Sequence, residues 1–150
     1  MFLNSLLTKY HIIYDKTMNI KKIDLFILSI NILFFIYYSF QLLVFTDEFA
    51  LRNIGSFNHA IAGLSEILGI IFLSLSIGLI IILYKGIENQ LPLFITILLI
   101  QLIISLNFWR YILTNSPGES DLFTISINAL IFSFCSLLTI LFIFNNKKYL

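Results

Sequence analysis

The sequence predicts an all-α protein, a transmembrane up-down bundle of four helices. Three observations lead there. Hydrophobic residues make up 59 % of the 150-residue chain and charged residues only 11 %, against about 25 % charged in a soluble domain; mean hydropathy is +0.99. Four apolar runs lie at 23–45, 57–84, 91–113 and 122–144, each long enough at ~1.5 Å per residue to cross a ~30 Å hydrocarbon core. The connections between them are short, which forces successive helices antiparallel. A soluble bundle would need a polar stripe on every helix, and stretches such as 77–83 and 98–104 carry almost none. The chain reads as one domain: an N-terminal cytoplasmic or interfacial segment 1–22, the helical domain 23–144, and a cytoplasmic tail 145–150.

Two readings stand for residues 1–17. Phe2, Leu3, Leu6, Leu7, Tyr10, Ile13 and Tyr14 recur at helical spacing, as in an amphipathic helix lying on a membrane surface. Alternatively, Met18-Asn19-Ile20-Lys21-Lys22 is the native start, a short basic head before an apolar run. Neither gives a cleaved signal peptide, because the following run is longer than a signal core and no small-residue cleavage pattern follows it. The first crossing is closed by Thr46-Asp47-Glu48, and 46–56 is expected to be a loop. The second crossing, 57–84, contains one ionisable side chain well inside it, Glu66. The turn 85–90 leads to Pro92, suited to the first turn of the third crossing. That crossing ends in Trp109-Arg110-Tyr111, an aromatic and basic set typical of a membrane interface. Thr114-Asn115-Ser116-Pro117-Gly118-Glu119 is a turn by its Pro-Gly content, and the fourth crossing follows.

The basic residues predict the orientation. Lys9, Lys16, Lys21, Lys22, Lys85, Lys147 and Lys148 fall on one side, and Arg52 and Arg110 on the other. Both termini are therefore expected in the cytoplasm, with 46–56 and 114–121 facing outward.

Each helix brings a hydrogen-bonding group to similar depth in the outer half. Glu66 lies about 14 Å below the outer end, with Ser105 about 12 Å, Tyr38 about 11 Å, Asn107 and Asn128 about 9 Å, and Gln101 about 18 Å down. His59 shares a helix face with Glu66, and Gln101, Ser105 and Trp109 share another. A charge at the bilayer centre costs about 2.5–3.5 kcal/mol on insertion scales, so Glu66 is expected to face the bundle and find partners among Gln101, Ser105, Tyr38, His59 and Arg110. Read functionally, Glu66, His59, Tyr38, Gln101, Ser105, Asn107, Arg110 and Asn128 line an outward-facing pocket for a ligand, ion or proton. Read structurally, the same groups tie helices together at ~0.6 kcal/mol each. Ser65-x-x-x-Gly69 and Ser74-x-x-x-Gly78 fit the small-residue contact pattern and place the second crossing at the bundle's centre.

The sequence excludes several classes. A net charge of +1 gives no reason to expect a nucleic-acid partner. The single cysteine, Cys135, makes no intrachain disulfide, and His11 and His59 form no metal set with neighbouring acids. No cofactor and no catalytic group are expected, because no nucleophile, phosphate-loop or zinc-protease motif is present. An enzyme would have to be an intramembrane acid–base catalyst using Glu66 and His59.

An acidic loop leads into Arg52-Asn53-Ile54-Gly55, then Ala60, Gly63-Leu64 and Gly69; later come Trp109-Arg110-Tyr111 and Ser116-Pro117-Gly118. Over residues 45–120 this outline resembles the DoxX-like family of small four-helix bacterial membrane proteins. The chain departs from that pattern in having fewer glycines in the second helix and in Glu66, which has no counterpart there. The resemblance implies a four-helix architecture in a bacterial inner membrane and, for some members, an association with respiratory or redox complexes. The expected function is that of a non-enzymatic accessory subunit or small-ligand binder, with the bilayer and a larger complex or further copies of itself as partners. The rival is a small oligomeric proton- or ion-coupled transporter using Glu66.

Overall fold

The computed structural model describes residues 22–114 and 121–150. These form five helices and no strand: α1 (Lys22–Leu43), α2 (Thr46–Ile54), α3 (His59–Lys85), α4 (Leu91–Thr114) and α5 (Leu122–Asn146). The two readings of residues 1–17 and the Ser116-Pro117-Gly118 turn lie outside the described residues. Helices α1, α3, α4 and α5 have 22, 27, 24 and 25 residues and are apolar over their lengths. At ~1.5 Å per residue they are about 33–40 Å long, enough to cross a bilayer. The protein is a multi-pass membrane protein built as an all-α four-helix bundle.

Residues 46–54 are helical, not a loop. Asp47 and Glu48 lie in the first turn of α2 and Arg52 in its last, both favourable to the helix dipole. Gly55 ends it in the left-handed region at φ 75°, its N–H bonded to the Leu51 carbonyl, a geometry other residues adopt only at a penalty. Helix α1 stops at Leu43 so that the chain can turn into α2. Helices α3 and α5 start on side-chain caps. Asn58 accepts from the Ile61 N–H at 2.9 Å, and Asp121 accepts from the Thr124 hydroxyl at 2.6 Å and the Thr124 N–H at 3.1 Å. The Thr124 hydroxyl, with the Thr124 and Phe123 backbone N–H groups, holds the exposed Asp121 carboxyl below its ordinary range.

The helices pack in the spatial order α3, α1, α5, α4, with α1 against α3, α5 against α4, and α1 meeting α5. Side-chain pairs run antiparallel across α1 and α5, Tyr38 with Asn128 and Asn31 with Thr139. Lys22, Lys85, Lys147 and Lys148 therefore lie at one end, here the basic end, where the Asn89 N–H also bonds the Tyr149 carbonyl at 3.2 Å. The other, acidic end carries α2 and Asp121. Helices α3 and α4 are joined by a short turn at the basic end, and otherwise scarcely touch.

The central helices are thus α1 and α5, which bury ten and nine residues, against six on α3 and four on α4. This corrects the expectation that the Glu66 helix is central. The reason is the distribution of polar groups: α1 carries Asn31 and Tyr38 seven residues apart on one face, and both need partners away from lipid. Phenylalanines fill the space around that face. Phe132 of α5 meets Phe34 and Tyr38 of α1 at 4.8 Å between ring centroids, and Phe108 of α4 at 5.7 Å. Phe72 of α3 meets Phe35 at 5.4 Å. Such pairs add about 0.5–1.5 kcal/mol each beyond their burial.

Helix α3 approaches α1 closely at Gly69. A Cβ there would lie 2.8 Å from Leu43 Cγ and 3.1 Å from Leu42 Cβ, whereas one at Gly63 would meet nothing within 4 Å. Ser65 and Gly69 are both buried and Gly69 packs on α1; Ser74 of the second small-residue pair is exposed. Gly69→Val is therefore expected to cost about 1–3 kcal/mol by overpacking, and Gly63→Val much less. Equilibrium unfolding of both variants in the same detergent checks this.

Candidate binding site

Hydrocarbon offers no hydrogen bonds, so polar side chains in the bundle must satisfy one another. Near mid-depth, Gln101 of α4 donates Nε2–H to Asn31 Oδ1 at 2.8 Å, and Asn31 donates Nδ2–H to the Ile27 carbonyl at 3.0 Å. The single Thr139 hydroxyl hydrogen of α5 is shared among Gln101 Oε1 at 2.8 Å, the Cys135 carbonyl at 3.0 Å and Asn31 Oδ1 at 3.2 Å. Gln101 is 0 % exposed, and both ends of its amide are occupied. The void beside this cluster is about 10 Å³ and otherwise apolar, at or below the size that holds one water. The cluster ties three helices and leaves no room for a solute.

One turn nearer the acidic end, Ser133 of α5 donates to the Ala129 carbonyl at 2.7 Å. Its oxygen accepts from the Trp109 indole at 3.1 Å and pairs with Ser105 at 2.7 Å. Ser105 and Trp109 thus act together from one face of α4, as their spacing predicts, but their partner is Ser133 rather than Glu66.

At the acidic end a third set forms a directional chain. The Tyr38 hydroxyl donates to Asn128 Oδ1 at 2.6 Å, Asn128 Nδ2–H to Asn53 Oδ1 at 2.6 Å, and Asn53 Nδ2–H to the Phe49 carbonyl at 2.9 Å. Three helices supply it: α1, α5 and α2. Tyr38 is 1 % exposed, so the chain runs from the surface into the core. Above it opens a cavity of about 80 Å³, lined by Tyr37, Tyr38, Gln41, Glu48, Phe49, Arg52, Asn53, Thr124 and Asn128. About 10–15 Å³ admits one water, so the space suits several waters or a small solute. Glu48 and Arg52 stand one helical turn apart and neither is in an ion pair among the described residues, which leaves both charges free to meet a ligand.

The remaining candidates lie elsewhere. Glu66 is exposed on the outer side of α3, beside Leu64 at 68 %, Ile67 at 58 % and Ile70 at 56 % exposure, with no hydrogen bond or ion pair among the described residues. This corrects the expectation that it faces the bundle. Ser65, Gly69, Phe72 and Ser76 face inward, and Glu66 is rotated ~100° from Ser65. Close packing of small residues on α1 sets the rotation of α3, and the carboxyl follows. His59 is exposed at the start of the same helix. Asn107 and Arg110 are exposed on α4, where with Ile103, Ile104 and Leu106 they line a separate surface groove of about 340 Å³. The Arg110 guanidinium sits 5.0 Å from the Tyr111 ring centroid. The eight candidates therefore divide among several places, and only Tyr38 and Asn128 line the acidic-end cavity.

Glu48, Arg52 and Asn53 are not among the sequence-predicted site residues, because the sequence reads 46–56 as a loop. The acids, the later arginine and the closing glycine were the signal for a helix there. The sequence reading also passed over Asp24, which is buried in the first turn of α1 and whose carboxylate oxygens have no hydrogen-bond partner among the described residues. Among the described residues, no three His, Cys, Asp or Glu side chains converge as a metal site.

No protein-family model matches the chain, no curated protein is similar to it, and no solved structure matches its fold.

The mid-depth cluster yields a prediction. Asn31→Leu strands the Gln101 amide in hydrocarbon and is expected to destabilise the bundle by about 1–2 kcal/mol. The triple variant Asn31→Leu/Gln101→Leu/Thr139→Val removes all the partners and is expected to cost less than the sum of its three single changes. Unfolding free energies of the wild type, the three single variants and the triple variant in one detergent decide it.

Proposed function

We propose that the protein is a non-enzymatic component of a bacterial inner membrane that binds a small zwitterionic molecule in the acidic-end cavity, alone or as an accessory subunit of a larger complex. By the lysine distribution, the basic end and both termini are cytoplasmic and the cavity faces outward. One observation carries the reading. A cation, Arg52, and an anion, Glu48, neither ion-paired among the described residues, flank a small cavity whose floor is a hydrogen-bonded Tyr38–Asn128–Asn53 chain. Arg52 suits a carboxylate through its planar fork. Glu48 suits an ammonium, and the amides and Tyr37 offer orientation. The limited volume selects against long or branched ligands.

A second reading, an oligomeric carrier coupled to protons or cations, has Asp24 in its favour: a buried carboxyl with no donor among the described residues is costly, and such groups recur on ion pathways.

The test is thermal unfolding of the protein in lipid nanodiscs against a panel of small amino acids and betaines. A ligand at 100 times its Kd is expected to stabilise the wild type by about 2.7 kcal/mol. Arg52→Leu and Glu48→Gln should abolish that shift while leaving unliganded stability nearly unchanged. If no compound shifts the wild type, or the shift persists in both variants, the cavity is not the site.

A further inference from the structure

Glu66 and Arg110 are left over by everything described so far. Each is exposed on a membrane-crossing helix, and neither makes an ion pair among the described residues. Each lies about nineteen residues above the basic end of its helix, Glu66 counted from Lys85 and Arg110 from Leu91. Both thus stand at a height of about 28 Å. They sit on α3 and α4, the two helices at the ends of the spatial order.

We infer that a second copy of this chain, in the same orientation, docks the Glu66 face of its α3 into the α4 groove beside Arg110. The charges are opposite and level, which parallel copies side by side in one bilayer preserve. A short carboxylate cannot snorkel to water as a long arginine does, so Glu66, seven residues inside α3 and about 10 Å from its end, is the group that needs an outside partner. The groove supplies one. Its walls, Ile103, Ile104 and Leu106, match the Ile67 and Ile70 side chains flanking Glu66. Asn107 adds an amide donor, and about 340 Å³ of space admits inserted side chains. Gly63, one turn before Glu66, has open space where a side chain would be, so a neighbouring helix can come close. The two patches differ, so the contact is heterologous and propagates from copy to copy until the ring closes. The cavity between α1, α2 and α5 is not part of this surface, so its occupancy and this contact fail or succeed separately.

The experiment uses the full chain in liposomes, with association read by energy transfer between labelled copies as protein is diluted with lipid. Wild type is expected to associate. Glu66→Gln and Arg110→Gln should each weaken association at least thirtyfold, the loss for stranding one partner of an enclosed charge pair, with unfolding in detergent unchanged. The swap Glu66→Arg/Arg110→Glu should restore association. In a Cys135→Ala background that keeps both charges, a short bis-maleimide should join an Ile70→Cys chain to a separately tagged Leu106→Cys chain, since both positions are exposed on the two proposed faces at matching height, and neither to its own kind. A monomeric wild type would overturn the inference. So would linkage of Ile70→Cys only to itself. Association that follows anionic lipid content and survives Glu66→Gln would also overturn it, and would assign Arg110 to a lipid phosphate instead.

Discussion

Inside a bilayer a polar side chain has only the protein to bond with, and α1 carries the two that matter most, Asn31 and Tyr38. Their placement seven residues apart puts both on one face. That face must be covered along most of its length. Helix α5 covers it with Thr139 and Asn128 at matching heights, and α4 reaches the same seam with Gln101. The order of the helices follows from this requirement. Helix α3, whose buried residues are Ser65, Gly69, Phe72, Ser76, Leu79 and Ile82, packs on the other side of α1 by shape.

The same seam links architecture to the proposed function. At mid-depth it is saturated and dense, and holds three helices together without a vacancy. At the acidic end the seam runs out into a cavity lined by α1, α2 and α5. Asn53 is the connecting residue. It accepts from Asn128 and donates to the Phe49 carbonyl, so the short helix that carries Glu48 and Arg52 is held by the buried amide chain. A ligand contacting those charges would therefore touch an element anchored in the core.

Much of the fold was legible from the residues. Four long apolar runs and short connections specify four crossings, because a chain with so few charges cannot clothe a soluble surface. The Ser65/Gly69 pair also marked a true close contact. The candidate site was legible only in part. Depth along a helix can be counted from sequence, and it correctly put Tyr38 and Asn128 level. Rotation about the helix axis cannot be counted when apolar residues surround it on all sides, and that is where the reading of Glu66 failed. A single carboxyl contributes one term to the rotation of α3, whereas the packing of Ser65, Gly69, Phe72 and Ser76 contributes four. The α2 helix was missed for a different reason: nine polar-rich residues between two crossings resemble a loop unless caps and end charges are weighed.

The most direct test of this account is a double-mutant cycle across the α1–α5 seam, with Tyr38→Phe and Asn128→Leu measured singly and together by reversible unfolding in a bilayer-like medium. The account predicts that the two changes are coupled by about 0.5–2 kcal/mol, the double variant costing clearly less than the sum of the singles. Strict additivity would contradict it, since Tyr38 and Asn128 would then not be partners and the seam would not order the bundle.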